Sequence, residues 1–231
     1  MNRKTDNYIL KALPDDEYER LLPDLEEVEF KVGDVINHPY EPITHVYFPN
    51  NAMVSVIAGT PEGQLSEAGV VGREGLLGIA VVMGADSTPH ENAIQLPGTA
   101  LRMPVKKIRE RFEQCAALRE LILRFTHAHM MQLVQTALCN RLHRLEQRFA
   151  RWILMAHDRS DSDVLPLTQD FLAIMLGVHR PSVSVVAGQF KESGFIKYNR
   201  AIITVLDRKR IENFCCDCYQ VVRAEFQRML K

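Results

Sequence analysis

Residues 167–196 read LTQDFLAIMLGVHRPSVSVVAGQFKESGFI. Thr168 stands where a helix N-cap is wanted, its hydroxyl able to accept a backbone N–H of the first turn. Phe171, Leu172, Ile174, Met175 and Leu176 supply an apolar side, and Ala173 permits close helix approach. Gly177 can take positive φ and end that helix. The chain turns through Val178 and restarts at Arg180-Pro181, where proline suits a first helical turn. Val183, Val186 and Phe190 then point inward, and Gly194 ends the second helix. Two short helices joined by a glycine-containing turn form a helix-turn-helix, a device that inserts its second helix into the DNA major groove. A compact three-helix core can show the same pattern, so the flanking sequence has to decide between the two.

Downstream, Phe195–Tyr198 and Ile202–Leu206 are β-rich runs joined by Asn199-Arg200-Ala201, which predicts a hairpin wing with a cationic tip. Asp207 is placed to cap one last helix. Upstream, Leu145 to His157 reads as a helix with Phe149, Trp152, Ile153 and Ala156 inward, followed by a polar loop from Asp158 to Asp163. Charge is uneven: residues 1–140 hold 13 Lys+Arg against 19 Asp+Glu, and residues 141–231 hold 15 against 10. The basic C-terminal part suits a polyanion surface. Together these features favour double-stranded DNA as the partner.

Farther upstream, Val105 to about Arg141 contains no Gly or Pro. Leu118, Leu121, Ile122, Phe125, Met130, Leu133, Val134, Ala137 and Leu138 recur at near-helical spacing. Leu118 to Leu138 would span ~30 Å as a helix. Apolar on more than one side, it needs two partners: one side for its own chain, another for a second copy. Between Val28 and Pro104, short Val/Ile/Phe/Tyr runs alternate with turn residues such as Gly33-Asp34 and Pro97-Gly98, predicting a small antiparallel roll. Residues 6–22 read as a short helix interrupted by proline. The expected class is α+β: a β-roll sensor over 1–113, a dimerisation helix over 114–142, and a winged helix-turn-helix over 143–231.

The N-terminal residues of the second helix of 167–196 are those expected to meet base edges. Arg180 can donate two hydrogen bonds to guanine. Ser182, Ser184 and Val185 lie near the groove, Val185 offering only apolar contact, and Gln189 reaches an edge or a phosphate. His179, Lys197 and Arg200 are assigned to phosphates, which position without specifying; simple solvation is the alternative for Lys197 and Arg200. Thr168 and Gln169, at the first helix's start, complete the expected DNA-binding set.

Other patterns were weighed. The five cysteines are an odd number, and Cys215, Cys216 and Cys218 crowd together. That is no secretory disulfide framework, which favours a reducing cytoplasm. In a continuous helix Ile211, Phe214, Cys215, Cys218, Val221, Val222 and Met229 would share a face, making Cys215 and Cys218 small core residues. No His or fourth Cys close in sequence completes a metal set, so no metal or cofactor is expected. Cys216 would point elsewhere as the most reactive thiol, which leaves a thiol sensor open. His127, His129, His143 and His157 leave haem ligation open as well. Gly72-Arg73-Glu74-Gly75 is a turn or an anion cradle. No stretch of 18 apolar residues suggests a membrane span, and no catalytic motif suggests an enzyme. A small-molecule-binding or scaffold protein using a winged helix for protein contact is the alternative function.

Taken together, the chain resembles the Crp–Fnr family of bacterial transcription regulators along nearly its whole length. Leu167–Ile196 with the wing through Leu206 carries the resemblance best. Cys139-Asn140, His143, Arg148 and Ala150-Arg151-Trp152 are similar to a subgroup, as is Val71-Gly72-Arg73-Glu74-Gly75. The resemblance implies a cyclic-nucleotide-binding-like double-stranded β-helix as the roll. It also implies homodimers on near-palindromic DNA and contact with RNA polymerase. Arg180 matches the family's base-reading arginine. Pro181 stands where Glu is frequent and Val185 where a second arginine occurs, which implies a different target site. Members that bind cyclic nucleotide carry Gly-Glu and Arg-Ser or Arg-Thr pairs. Here the corresponding segments are Leu76-Leu77-Gly78 and His90-Glu91-Asn92-Ala93, and no Arg lies between Arg73 and Arg102. The resemblance therefore implies a subgroup that does not bind cyclic nucleotide, its effector unidentified. No Cys precedes Cys115, which argues against an N-terminal iron–sulfur cluster.

Overall fold

The computed structural model describes residues 5–199 and 201–230. Two short helices, α1 (Tyr8–Ala12) and α2 (Asp15–Leu21), open the chain, split by Pro14 at the start of α2. Asn7 caps α1 by accepting from the backbone N–H groups of Ile9 and Leu10. Seven strands follow: β1 (Glu26–Phe30), β2 (Val35–Asn37), β3 (His45–Pro49), β4 (Met53–Gly59), β5 (Leu65–Val71), β6 (Glu91–Leu96) and β7 (Gly98–Pro104). They pair antiparallel into a sheet of order β1-β7-β3 and another of order β2-β6-β4-β5. Val46, Phe48, Val54, Ile94, Leu101 and Met103 fill the space between the sheets. This is the expected β-roll.

The Gly- and Pro-free stretch from Val105 to Arg141 holds two helices, α3 (Val105–Gln114) and α4 (Ala116–Leu142), the second lying close to the helix expected over 114–142. No breaker residue separates them. Cys115 is extended, and its buried Sγ accepts from the Leu118 N–H at 3.3 Å, capping α4. Arg119 donates to the carbonyls of Phe112 and Glu113, which α3 leaves unpaired at its end. Ile108 of α3 packs into the core of the roll together with Leu118, Ile122 and Phe125 of α4. Leu118, Ile122, Phe125 and Ala128 of α4 are buried, whereas Leu123, Met130, Val134, Leu138 and Leu142 are exposed.

Next come α5 (Leu145–His157), a short strand β8 (Val164–Pro166), α6 (Gln169–Leu176), α7 (Arg180–Glu192), β9 (Ile196–Asn199) and β10 (Ile202–Val205). The strands form a sheet of order β8-β10-β9, so part of the stretch after the polar loop is an edge strand that periodicity did not reveal. The single last helix expected after Asp207 is instead α8 (Arg208–Phe214) and α9 (Cys218–Met229). Asp207 does cap α8, accepting from the Arg210 N–H at 3.0 Å. The break at residues 215–217 turns Cys216 inward, because this corner packs against the end of α4.

The helices and wing share a core of Phe149, Ile153, Leu172, Val183, Phe190 and Ile203, into which Met53, Ile57 and Val70 of the roll also extend. The two cores therefore touch within one chain. Among the described residues no single helix is long and apolar enough to cross a membrane.

Candidate nucleic-acid interface

The helix-turn-helix forms as its residue types demand. Thr168 Oγ1 accepts from the Phe171 N–H at 3.1 Å and opens α6. Gly177, at φ 60°, ends it in the left-handed region that favours glycine. Pro181 occupies the first turn of α7. The axes of α6 and α7 meet at 105°, within the range of such motifs. Val183, Val186, Ala187 and Phe190 hold α7 down on the core. Phe190 is ringed by Phe149, Phe195 and Phe214 edge to face.

What remains of α7 faces water. His179, Arg180, Pro181, Ser182, Ser184, Val185 and Gln189 are all exposed, Val185 by 62%. A carbon added at Gly188 would meet nothing within 4 Å, so nothing rises above this face. Arg180 lies 3.4 Å from Asp170, a contact with both side chains more than 60% exposed and therefore easily exchanged. Asp170 was not among the expected site residues. Its signal was its place in the first turn of α6, where a carboxylate suits the helix dipole.

The expected residues are not equally free. Ser184 Oγ donates to Gln169 Oε1 at 2.7 Å, so these two satisfy each other across the motif. Gln169 is half-buried. Thr168 is exposed but engaged as the cap. Lys197 is exposed on β9, beside the wing turn. Arg200 lies outside the described residues. Ala201 turns the wing at φ 70°. Arg210 adds a cation near the wing base, stacked 4.8 Å over Phe195.

The motif is fastened to the roll by buried polar contacts. Glu67 on β5 is wholly buried and accepts hydrogen bonds from Ser55 Oγ and, at 2.9 Å, from Trp152 Nε1. Burial pushes its carboxyl up to about 7, against the opposing pull of the Ser55 and Trp152 bonds and of Arg151 and Arg159. Arg159 donates to Glu74 at 2.6 Å in a buried pair, and Arg73 pairs with Asp161 at 2.6 Å. Residues 72–75 are thus a turn that clamps the segment just after α5, with the Gly75 N–H donating to the Gly72 carbonyl, and its charges are already engaged.

A cavity of about 230 Å³ lies between the roll and α4, lined by residues that include Leu77, Gly78, His90, Asn92, His129 and Leu133. It coincides with the segments compared above to a nucleotide site. No Arg or Lys lines it. Burial holds His129 down to about 4, hence neutral. Its Nδ1 and Asn92 Oδ1 are buried and find no hydrogen-bond partner among the described residues.

The cysteine expectations need correction. Cys216 does not point away: it is 5% exposed, with its Sγ 3.6 Å from that of Cys139 on α4. Nor does the group lack further ligand types, since Cys139 and His143 arrive from the end of α4. These residues are more than 70 positions away in sequence, beyond the reach of a local motif.

Residues 147–214 match the model of the Crp-like helix-turn-helix domain. No curated protein matches the chain significantly. Solved structures match nearly its full length at low identity. A putative transcriptional regulator of the Crp/Fnr family from Eubacterium rectale is 15% identical with a TM-score of 0.68, over 92% of this chain and 97% of that one. FixK2 from Bradyrhizobium japonicum is 14% identical with a TM-score of 0.70, over 83% and 98%. A CRP-family transcriptional regulator from Thermus thermophilus is 16% identical with a TM-score of 0.68, over 80% and 95%. The chain thus carries a Crp-like helix-turn-helix domain at residues 147–214 within the fold of the Crp/Fnr transcription regulators.

Proposed function

We propose that this protein is a sequence-specific, DNA-binding transcription regulator that acts as a homodimer. The observation that carries the reading is the solvent face of α7: its inward residues are fixed in the core while Arg180, Ser182, Val185 and Gln189 stand clear of the fold. A helix so presented fits a major groove. Arg180 then reads a base edge. Ser182, Ser184, Val185 and Gln189 complete the reading face, Ser184 by exchanging its bond to Gln169. Thr168, Gln169, His179, Lys197 and Arg200 hold phosphates.

The second copy docks on the exposed stripe of α4. The working division is a roll over 1–113, a dimerising segment over 114–142 and a DNA-binding unit over 143–231. Effector chemistry follows from the cavity beside His129. With no cation in its lining, it suits a small neutral ligand better than a cyclic nucleotide, whose phosphate would lie uncompensated. Ligand-driven movement of α4 would reach α7 through Glu67, Trp152 and Met175, the last of which accepts from Ser55 at 3.4 Å. RNA polymerase contact belongs to the same reading.

The test is DNA affinity as a function of salt. Phosphate contacts predict a steep linear fall of log K with log salt. A flat response, with binding of another protein instead, would replace this reading by the scaffold one.

A further inference from the structure

We propose that Cys139, His143, Cys216 and Cys218 form a closed structural zinc site that pins the C-terminal helices to the end of α4. One ligand atom from each of the four lies within 4.8 Å of every other. Three of the residues are buried and the fourth is half-buried. Two of the six ligand–ligand spacings already match a coordination tetrahedron, and all six fall within 4.8 Å. Cys139 and Cys216 Sγ are 3.6 Å apart, and Cys218 Sγ and His143 Nδ1 are 3.4 Å apart. Zinc–sulfur bonds of about 2.3 Å and a zinc–nitrogen bond of about 2.0 Å, at tetrahedral angles, require edges of about 3.5–3.8 Å. Four protein ligands leave no open position, which marks a structural rather than a catalytic ion. Three sulfurs and one nitrogen favour zinc among common divalent ions, and ligand atoms this close enclose one ion rather than an iron–sulfur cluster.

Two surrounding groups fit the bound ion. Gln135 Nε2 donates to Cys218 Sγ at 3.1 Å, the kind of outer hydrogen bond that orients a thiolate ligand. Arg151 is buried beside this corner, donating to Thr136 Oγ1 and Met155 Sδ. Among the described residues it makes no salt bridge. Three thiolates, one neutral imidazole and Zn²⁺ carry a net charge of −1, which this guanidinium would balance. Loading releases the three thiol protons to solvent as the Zn–S bonds form.

The placement gives the ion a job. His143 is the C-cap of α4, and α5 begins two residues later. Cys216 lies in the break between α8 and α9, and Cys218 opens α9. Zinc would therefore fix the corner where the long helix meets the DNA-binding unit. That consequence rests on the regulator reading; the site itself does not.

The experiment is metal analysis of the full-length protein purified under reducing conditions, then stripped by chelator and titrated with Zn²⁺ and with Co²⁺. One zinc per chain is expected, with a tetrahedral, thiolate-bound Co²⁺ spectrum. Zinc should protect Cys139, Cys216 and Cys218 from alkylation, and not Cys215. Cys215→Ser should keep the full equivalent, whereas Cys216→Ser and Cys218→Ser should lose it. Should those variants fail to fold, the alkylation pattern of the native protein decides. Failure of the native chain to take up either ion, protection that ignores zinc, a Cys139–Cys216 disulfide in the reduced preparation, or an iron–sulfur spectrum each overturns the proposal. DNA binding is measured separately, so either reading can fail alone.

Discussion

Two helices present faces to water, and those faces differ in kind. On α7 the outward positions include Arg180, Ser182, Ser184 and Gln189, with Pro181 and Val185 as apolar members. On α4 they include Leu123, Met130, Val134, Leu138 and Leu142, spaced by seven and then by four, with Val134 61% exposed. Both helices bury their opposite sides completely, so neither outward face is left over from poor packing. Polar side chains keep their hydration until a polar partner replaces it, which suits a groove floor and phosphates. An apolar stripe gains only from another apolar surface, at roughly 1.5–3 kcal/mol per side chain fully buried. The contrast teaches that one chain exposes two faces of opposite physics, separated by the turn at His143 between α4 and α5.

The comparison can be broken hardest on α4. Replacing Val134 and Leu138 by Asp should convert dimer to monomer in sedimentation and cut DNA affinity by about 100-fold or more, because both half-sites must be held together. The monomer should stay folded by circular dichroism, since both positions face water. On α7, Arg180→Ala should cost about 1–3 kcal/mol and relax preference at one base position, with the dimer intact. Competition binding against single-base operator variants reads that effect.

The contact between the roll and α5 has its own signature. Glu67 holds its proton in the folded chain up to about pH 7, whereas an exposed glutamate loses it near 4.5. The folded state thus binds more protons in that window, and stability must fall as pH rises from 4.5 to 7. A shift of this size corresponds to about 3 kcal/mol. Glu67→Gln, which keeps a polar partner for Trp152, should flatten that slope in denaturant titrations and be the more stable form at pH 8. The smallest effect is expected at the wing: Lys197→Ala should reduce the slope of log K against log salt by about 1 without altering base preference.

How far each region was legible follows from how local its determinants are. Thr168, Gly177 and Pro181 each act on their own turn, so α6 and α7 could be read directly. The strand runs from Val28 to Pro104 alternate with turn residues, and the roll followed. Glu67 was not legible, because a carboxylate reads as solvent-facing unless Ser55 and Trp152 are known to surround it. No breaker residue causes the break at Cys115, which tertiary packing and a thiol cap set; the helix expected over 114–142 nevertheless begins within two residues of α4. The break at residues 215–217 hid the cysteine corner for the same reason. A helical wheel through Cys215 and Cys218 assumes continuity, and Cys139 and His143 come from a distant part of the chain. Asp170 showed only its helix-start role, since its pairing with Arg180 depends on the angle between α6 and α7.

The most direct measurement is selection of binding sites from random duplex DNA by the purified full-length protein. The account predicts enrichment of an inverted repeat whose half-site centres lie about 34 Å apart, or a small multiple of that, with Arg180→Ala degrading one position in each half. Recovery of unrelated sequences, or of single half-sites with no symmetric mate, would contradict it.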